Sequence, residues 1–312
     1  PRARAILAWF QQLQAAPELK LVSGQFAGWS GRARMDELGQ IERATGRWPA
    51  MIGLDYCAFV KGQATIATQP VNALAQKYWN AGGLVSISWH APNPGKPKGG
   101  GLKERGVKLA DLLTPGPTHD RWMKSLDEVS AGLARLQEAG VVVIWRPLHE
   151  MNGAWFWWGA QEPADFIAVW RHMFEYFTQA KGLHNLIWAW GPNHAQRPPA
   201  DYYPGDAFTD LIGLDAYTDH INPDRIKGFE SLTGISKPTG FTEYGPHGAS
   251  NPPGDYDFRQ LLDGIEQNFP QLRHFLVWNE NWNPARNRFA REFYNDPRVI
   301  TRDRIPAGLA GK

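Results

Sequence analysis

A chain of 312 residues that is 43% hydrophobic and 21% charged, with 33 Lys+Arg against 31 Asp+Glu, has the composition of an ordinary globular protein, which excludes disorder and a nucleic-acid scaffold. Its longest apolar stretch, around 141–145, falls far short of the ~18–20 residues of a membrane span, and the single Cys57 excludes an intrachain disulfide and a cysteine zinc cluster. Trp is as frequent as Phe, at 15 each, an excess of flat apolar rings carrying a polar N–H that suits cores and also surfaces that stack on ligands.

The chain opens on Pro1 rather than Met, as a chain trimmed of a leader would. Apolar, β-branched runs that end in polar or aromatic residues then recur along it. They predict strands at Leu21 to Phe26, Met51 to Asp55, Leu84 to His90, Val141 to Glu150, Leu186 to Asn193, Leu211 to Tyr217, Pro238 to Tyr244 and Phe275 to Trp282. Helical periods separate them. From His119 to Ala139, Trp122, Leu126, Val129, Leu133 and Leu136 recur at steps of four and three, with Gly140 as the terminating glycine. Pro163 opens a second such segment through Phe166, Trp170, Met173 and Phe177, closed by Gly182.

Eight comparably spaced strand–helix units fit an α/β chain of the (β/α)8 TIM-barrel class better than an open doubly wound sheet. Segments rich in Pro and Gly, at Ala91 to Gly101, Thr114 to Thr118, Pro198 to Gly205 and Gly248 to Gly254, read as enlarged βα-loops on one face. No repeat or linker interrupts the chain, so one catalytic barrel over 1–312 is expected.

In a barrel the chemistry lies at the C-terminal strand ends. His90, Arg146, His149, Glu150, Trp190, Asn193, Asp215, Tyr217, Glu243 and Trp278 fall there. Carboxylates, directional hydrogen-bonding groups and flat rings together suit a sugar. Hydrolysis of a glycosidic bond needs one protonated and one ionised carboxyl group. Glu150 and Glu243 qualify, because they end the fourth and seventh strands, which face one another across a barrel mouth, and have His149 and Tyr244 as neighbouring partners.

The segment Trp145-Arg146-Pro147-Leu148-His149-Glu150-Met151-Asn152-Gly153, followed by Trp155-Phe156-Trp157-Trp158-Gly159, resembles the acid/base signature of family 26 glycoside hydrolases, typified by β-1,4-mannanases. Phe241-Thr242-Glu243-Tyr244-Gly245 is similar to that family's nucleophile strand, and the resemblance extends over His90, Trp190-Gly191-Pro192-Asn193, Asp215-Ala216-Tyr217 and Trp278. It implies a retaining (β/α)8 enzyme with Glu150 as general acid/base and Glu243 as nucleophile. Tyr217 would then hydrogen-bond the nucleophile and the sugar, Trp278 would form a stacking floor, and His90, Arg146, His149 and Asp215 would complete the cleavage subsite. Trp155 and Phe156 would wall the leaving-group side, with Trp190 and Asn193 among the sugar contacts. The implied substrates are β-mannan polysaccharides and manno-oligosaccharides, acted on without a cofactor by a secreted or periplasmic monomer. Relatives resembling β-1,3-xylanases and lichenases, and a non-catalytic glycan-binding barrel, are the alternatives.

Other signals carry less. The zinc-helix spacing His-Glu-x-x-His fails at Gly153, so no metal is expected. The Gly99-Gly100-Gly101 run has no Gly-Lys-Ser/Thr after it. Lys96, Lys98, Lys103, Arg105 and Lys108 are interrupted by Glu104 and Asp111 within a net charge of only +2, which reads as a solvated loop and not a nucleic-acid site. Trp122 and Trp170 sit on apolar helix faces and belong to the core, whereas Trp155, Trp157 and Trp158 crowd one loop too densely for all to face inward.

Overall fold

Each of the eight apolar runs forms a strand in the computed structural model, which describes residues 2–29, 32–97, 100–248 and 253–311. They are β1 (Leu21–Phe26), β2 (Met51–Asp55), β3 (Leu84–Trp89), β4 (Val143–Pro147), β5 (Leu186–Trp190), β6 (Leu211–Tyr217), β7 (Thr239–Gly245) and β8 (Leu272–Val277). All pair in parallel with their sequence neighbours, and β8 returns to β1 from Val22↔His274 to Gln25↔Val277, closing a (β/α)8 barrel. Lys98 and Gly99 of the two loop signals, and part of the Gly248 to Gly254 segment, lie outside the described residues.

The α-helices are α1 (Arg2–Ala15), α2 (Asp36–Thr45), α3 (Thr68–Asn80), α4 (Pro117–Glu138), α5 (Pro163–Glu175), α6 (Arg259–Asn268) and α7 (Ala290–Asn295). In α4, Trp122, Leu126, Val129, Leu133 and Leu136 are all buried, as their spacing requires, and Gly140 follows at φ +73°. Pro163 begins α5, which runs into a π-turn at Tyr176–Ala180 before Gly182 at φ +64°. The crossovers from β5 to β6 and from β6 to β7 contain only 3-10 turns, at Pro199–Tyr202, Asp206–Phe208 and Phe229–Leu232. Pro198, Pro199, Pro204 and Gly205, then Pro223, Gly228 and Gly234, break any longer helix there.

Several sequence-read strands end too late. Backbone pairing stops at Trp89, Pro147 and Trp190, so His90, Glu150 and Asn193 stand on the loops beyond. The last strand is displaced toward the N-terminus, to Leu272–Val277, which puts Trp278 just past its end. Thr114 to Thr118 is the turn that leads into α4 and carries the end of the long loop after β3. An element absent from the strand count also emerges. After β2 a two-stranded hairpin, Cys57–Val60 against Gln63–Ile66, rises from the C-terminal face.

Strand alternation decides which side chains reach the barrel axis. On β5, Ala189 faces the interior with Met51, Ser86, Ile144 and Leu276. Its neighbours Trp188 and Trp190 therefore face outward, Trp188 against Trp170 and Phe174 and Trp190 against Tyr203. Trp190 is fully buried there, which corrects its placement among the sugar contacts.

Candidate active site

A cleft of about 610 Å³ opens at the C-terminal face, lined by His90, His149, Glu150, Trp155, Phe156, Asn193, Tyr217, Glu243 and Trp278. Nine of the proposed site residues thus converge, Tyr217 and Glu243 from within strands and the others from the loops beyond them.

Glu243 reaches the cleft through an irregularity in β7. Leu214 pairs with Phe241 while Asp215 pairs with Glu243, so Thr242 is an extra residue on β7. Such a bulge re-aims side chains. Here two consecutive residues turn to the interior: Thr242 donates to Asp215 Oδ1 at 2.7 Å, and Glu243 meets Arg146. Arg146 Nη1 donates to Glu243 Oε1 at 2.8 Å and to Ser88 Oγ at 2.9 Å, while Nη2 pairs with Asp215. Tyr217 donates its hydroxyl to Glu243 Oε2 at 2.8 Å. Both oxygens of Glu243 therefore accept, one of them from a guanidinium.

Arg146 and Asp215 do not line the cleft. They lie under its floor, at 2% and 0% exposure, and this corrects the expectation that they touch a ligand. An ion pair buried this deeply survives because its geometry and extra hydrogen bonds compensate desolvation. The guanidinium needs close backbone approach from the side: a Cβ at Gly191 would stand 2.9 Å from Arg146 Nε. Tyr244, a sequence-level candidate to support Glu243, packs with Phe241, Tyr256 and Phe258 instead.

Glu150 is built differently. It stands three residues past β4 in the left-handed region at φ +55°, as does Leu148 at +49°. Each such non-glycine residue costs about 1–3 kcal/mol, so the turn must be held from outside. Glu150 N–H donates to Gly191 O at 2.8 Å, and Trp158 Nε1 donates to His149 O at 2.8 Å. The carboxyl accepts from Trp155 Nε1 and from Asn193 Nδ2, each at 2.6 Å. Asn152 fixes Asn193 in turn, donating to its carbonyl at 2.7 Å and accepting its N–H at 2.8 Å. Burial, reinforced by the negative charge of Glu243, pushes the Glu150 carboxyl up to about 7, against the two hydrogen bonds and Arg146.

Behind the carboxylates, Asp55 Oδ2 accepts from His90 Nδ1 at 2.6 Å, and His90 Nε2 meets His149 Nε2 at 2.9 Å. His149 Nε2 stands 3.7 Å from Glu243 Oε1. Burial and the nearby Arg146 hold His149 well below the usual imidazole range, so it is neutral. Asp55 holds a proton on His90 Nδ1, and across the contact between the two Nε2 atoms one ring donates and the other accepts.

His149, Glu150 and Asp215 each offer a ligand atom within 4.8 Å of the others. The oxygens of both carboxylates already accept from Trp155, Asn193, Thr242 and Arg146, and a guanidinium fills the space beside them. The donor set is that of a hydrogen-bonded acid pair, and not of a metal centre.

Sequence reasoning missed Trp29, Phe59, Leu102, Lys103, His194, Gln196 and Trp282 in the cleft wall, and Asp55 beneath it. Trp29, three residues beyond β1, would have been found by extending the search from strand ends into the loops.

Glycosyl hydrolase family 26 matches residues 1–304. The chain is 34% identical to the mannan endo-1,4-beta-mannosidase A and B of Caldalkalibacillus mannanilyticus over 97% of its own length, and spans 61% of that protein. It is 33% identical to a mannan endo-1,4-beta-mannosidase of Bacillus subtilis, covering 97% of this chain and 86% of that one. The solved Bacillus subtilis mannanase BCman superposes with a TM-score of 0.90 at 31% identity, over 99% of this chain and 95% of the other.

Proposed function

The chain belongs to glycosyl hydrolase family 26, and from that premise we propose that it is an endo-β-1,4-mannanase that cleaves mannan, glucomannan or galactomannan with net retention. The observation that carries the reading is the contrast between two buried glutamates in one cleft: Glu150 raised to about 7 between neutral donors, and Glu243 bonded to Arg146 and Tyr217.

Glu150 is the general acid. Its proton passes to the glycosidic oxygen as that bond breaks, while Glu243 attacks the anomeric carbon and forms a glycosyl ester. Arg146 and Tyr217 hold the attacking carboxylate in line. Esterification removes the negative charge that raises Glu150, so Glu150, now ionised, takes a proton from the incoming water, which attacks the anomeric carbon and frees Glu243. Trp278, stacked flat on Phe26 at 4.0 Å, offers an apolar floor to the ring being cleaved. The substrate is a polymer too large to enter a cell, which supports secretion or export to the periplasm, and the enzyme acts as a monomer.

Reducing-sugar release from mannan, β-1,3-xylan and lichenan tests the assignment. Mannan is the expected substrate, with a ladder of oligosaccharides from its interior. Faster release from β-1,3-xylan or lichenan would replace mannan with that glycan, and binding without turnover would reject catalysis.

A further inference from the structure

The chemistry above leaves a row of rings unexplained. Trp29 stands edge-on to Trp278 at 5.9 Å and 4.3 Å from His90, and Phe59 meets Trp29 at 5.6 Å. All line the same cleft. Trp278 is half-buried, whereas Phe59 is 49% exposed, so the row runs from the floor to open solvent.

Phe59 is held there by a stiff support. Its hairpin is paired from Cys57↔Ile66 to Val60↔Gln63 and turns on Lys61 and Gly62, both at positive φ (50° and 79°), the two-residue turn that matches strand twist. Its base is tied to the barrel by Cys57 N–H donating to Asp55 Oδ1 at 2.6 Å. A phenyl ring fixed in water beside a cleft, with a second aromatic behind it, is a preformed stacking surface.

Its place in the ring of strands tells which part of a substrate it meets. The groups around Glu150 come from the loops after β4 and β5, where Trp155 and Asn193 reside. Trp278, Trp29 and Phe59 follow β8, β1 and β2, on the other side of the closed barrel. The proton donor faces the departing part of the chain, so the retained part extends toward Phe59.

Building on the mannanase reading, we propose that Phe59, backed by Trp29, forms a distal glycone subsite that stacks on the apolar face of a β-1,4-linked hexopyranosyl ring beyond the one held over Trp278. Val60, the alternate residue on the hairpin, is 58% exposed but does not line the cleft.

The test compares kcat/KM on mannohexaose with that on an aryl β-mannoside, whose single sugar ring ends over Trp278, for wild type, Phe59→Ala, Phe59→Trp and Val60→Ala. Phe59→Ala should lower the ratio of the two about tenfold and move mannohexaose cleavage toward products with a shorter glycone. Phe59→Trp should restore both, and Val60→Ala should keep the wild-type ratio. An unaltered ratio and product pattern in Phe59→Ala would overturn the subsite, as would an equal loss on both substrates. Wild type that fails to cleave mannan would instead overturn the functional reading on which the subsite rests.

Discussion

The ends of β4 and β7 each present a buried glutamate to one cleft, yet by opposite means. Glu243 lies within a strand, aimed by a bulge and bonded to a cation and a phenol; Glu150 lies beyond its strand on a left-handed turn, bonded to an indole and an amide. Neither neutral donor offsets desolvation as a guanidinium does. On the proposed mechanism one residue type serves two roles, and the charge of its partners decides which.

The sharpest way to break this contrast is to remove each carboxylate in turn. Glu150→Ala should lower kcat/KM on mannan by about 10²–10⁴-fold, the usual contribution of a general acid, and far less on an aryl glycoside whose leaving group needs no proton. Equal losses on the two substrates would deny Glu150 that role. Arg146→Met strikes the other side, leaving Glu243 and Asp215 buried without their cation. Urea unfolding should show a loss of about 3–5 kcal/mol; a loss below 1 kcal/mol, roughly a surface pair's worth, would show that the pair does not organise the floor.

Smaller changes sharpen the comparison. Trp155→Phe deletes a donor that favours the ionised form of Glu150, so its value must rise above about 7. Activity requires the protonated form, and the alkaline limb of kcat/KM should accordingly move to higher pH. A limb that moves down or stays would contradict the assignment. Asp55→Asn replaces the carboxylate that accepts from His90 Nδ1 and so loosens the His90–His149 pair beside Glu243. It should reduce kcat more than it raises KM, and a loss confined to KM would limit the Asp55–His90–His149 chain to substrate contact.

Much of this was legible in the chain. The apolar-first runs locate all eight barrel strands because a parallel strand buried on both faces must be apolar until it reaches the mouth. The two glutamates stand out because charge at the end of such a run needs a reason. Trp190 misled, since a Trp at a strand end reads alike whether it faces the cleft or the helical shell, and only strand register separates the two. Arg146 and Asp215 have the composition of ligand contacts, but their depth below the floor is a tertiary fact. The bulge at Thr242 and the exposed hairpin carrying Phe59 left no periodic trace, because the bulge depends on pairing between strands and the hairpin is only four residues a side.

The central claim, that Glu243 attacks while Glu150 donates, is tested most directly by trapping. A mannobiosyl fluoride with fluorine at C2 of the reacting ring has a leaving group that needs no acid and forms a slowly hydrolysed ester. After peptic digestion, mass spectrometry should find the added sugar on the peptide containing Glu243 and restore the unlabelled mass when turnover is allowed. A label on Glu150, or no label together with inverted product, would contradict the account.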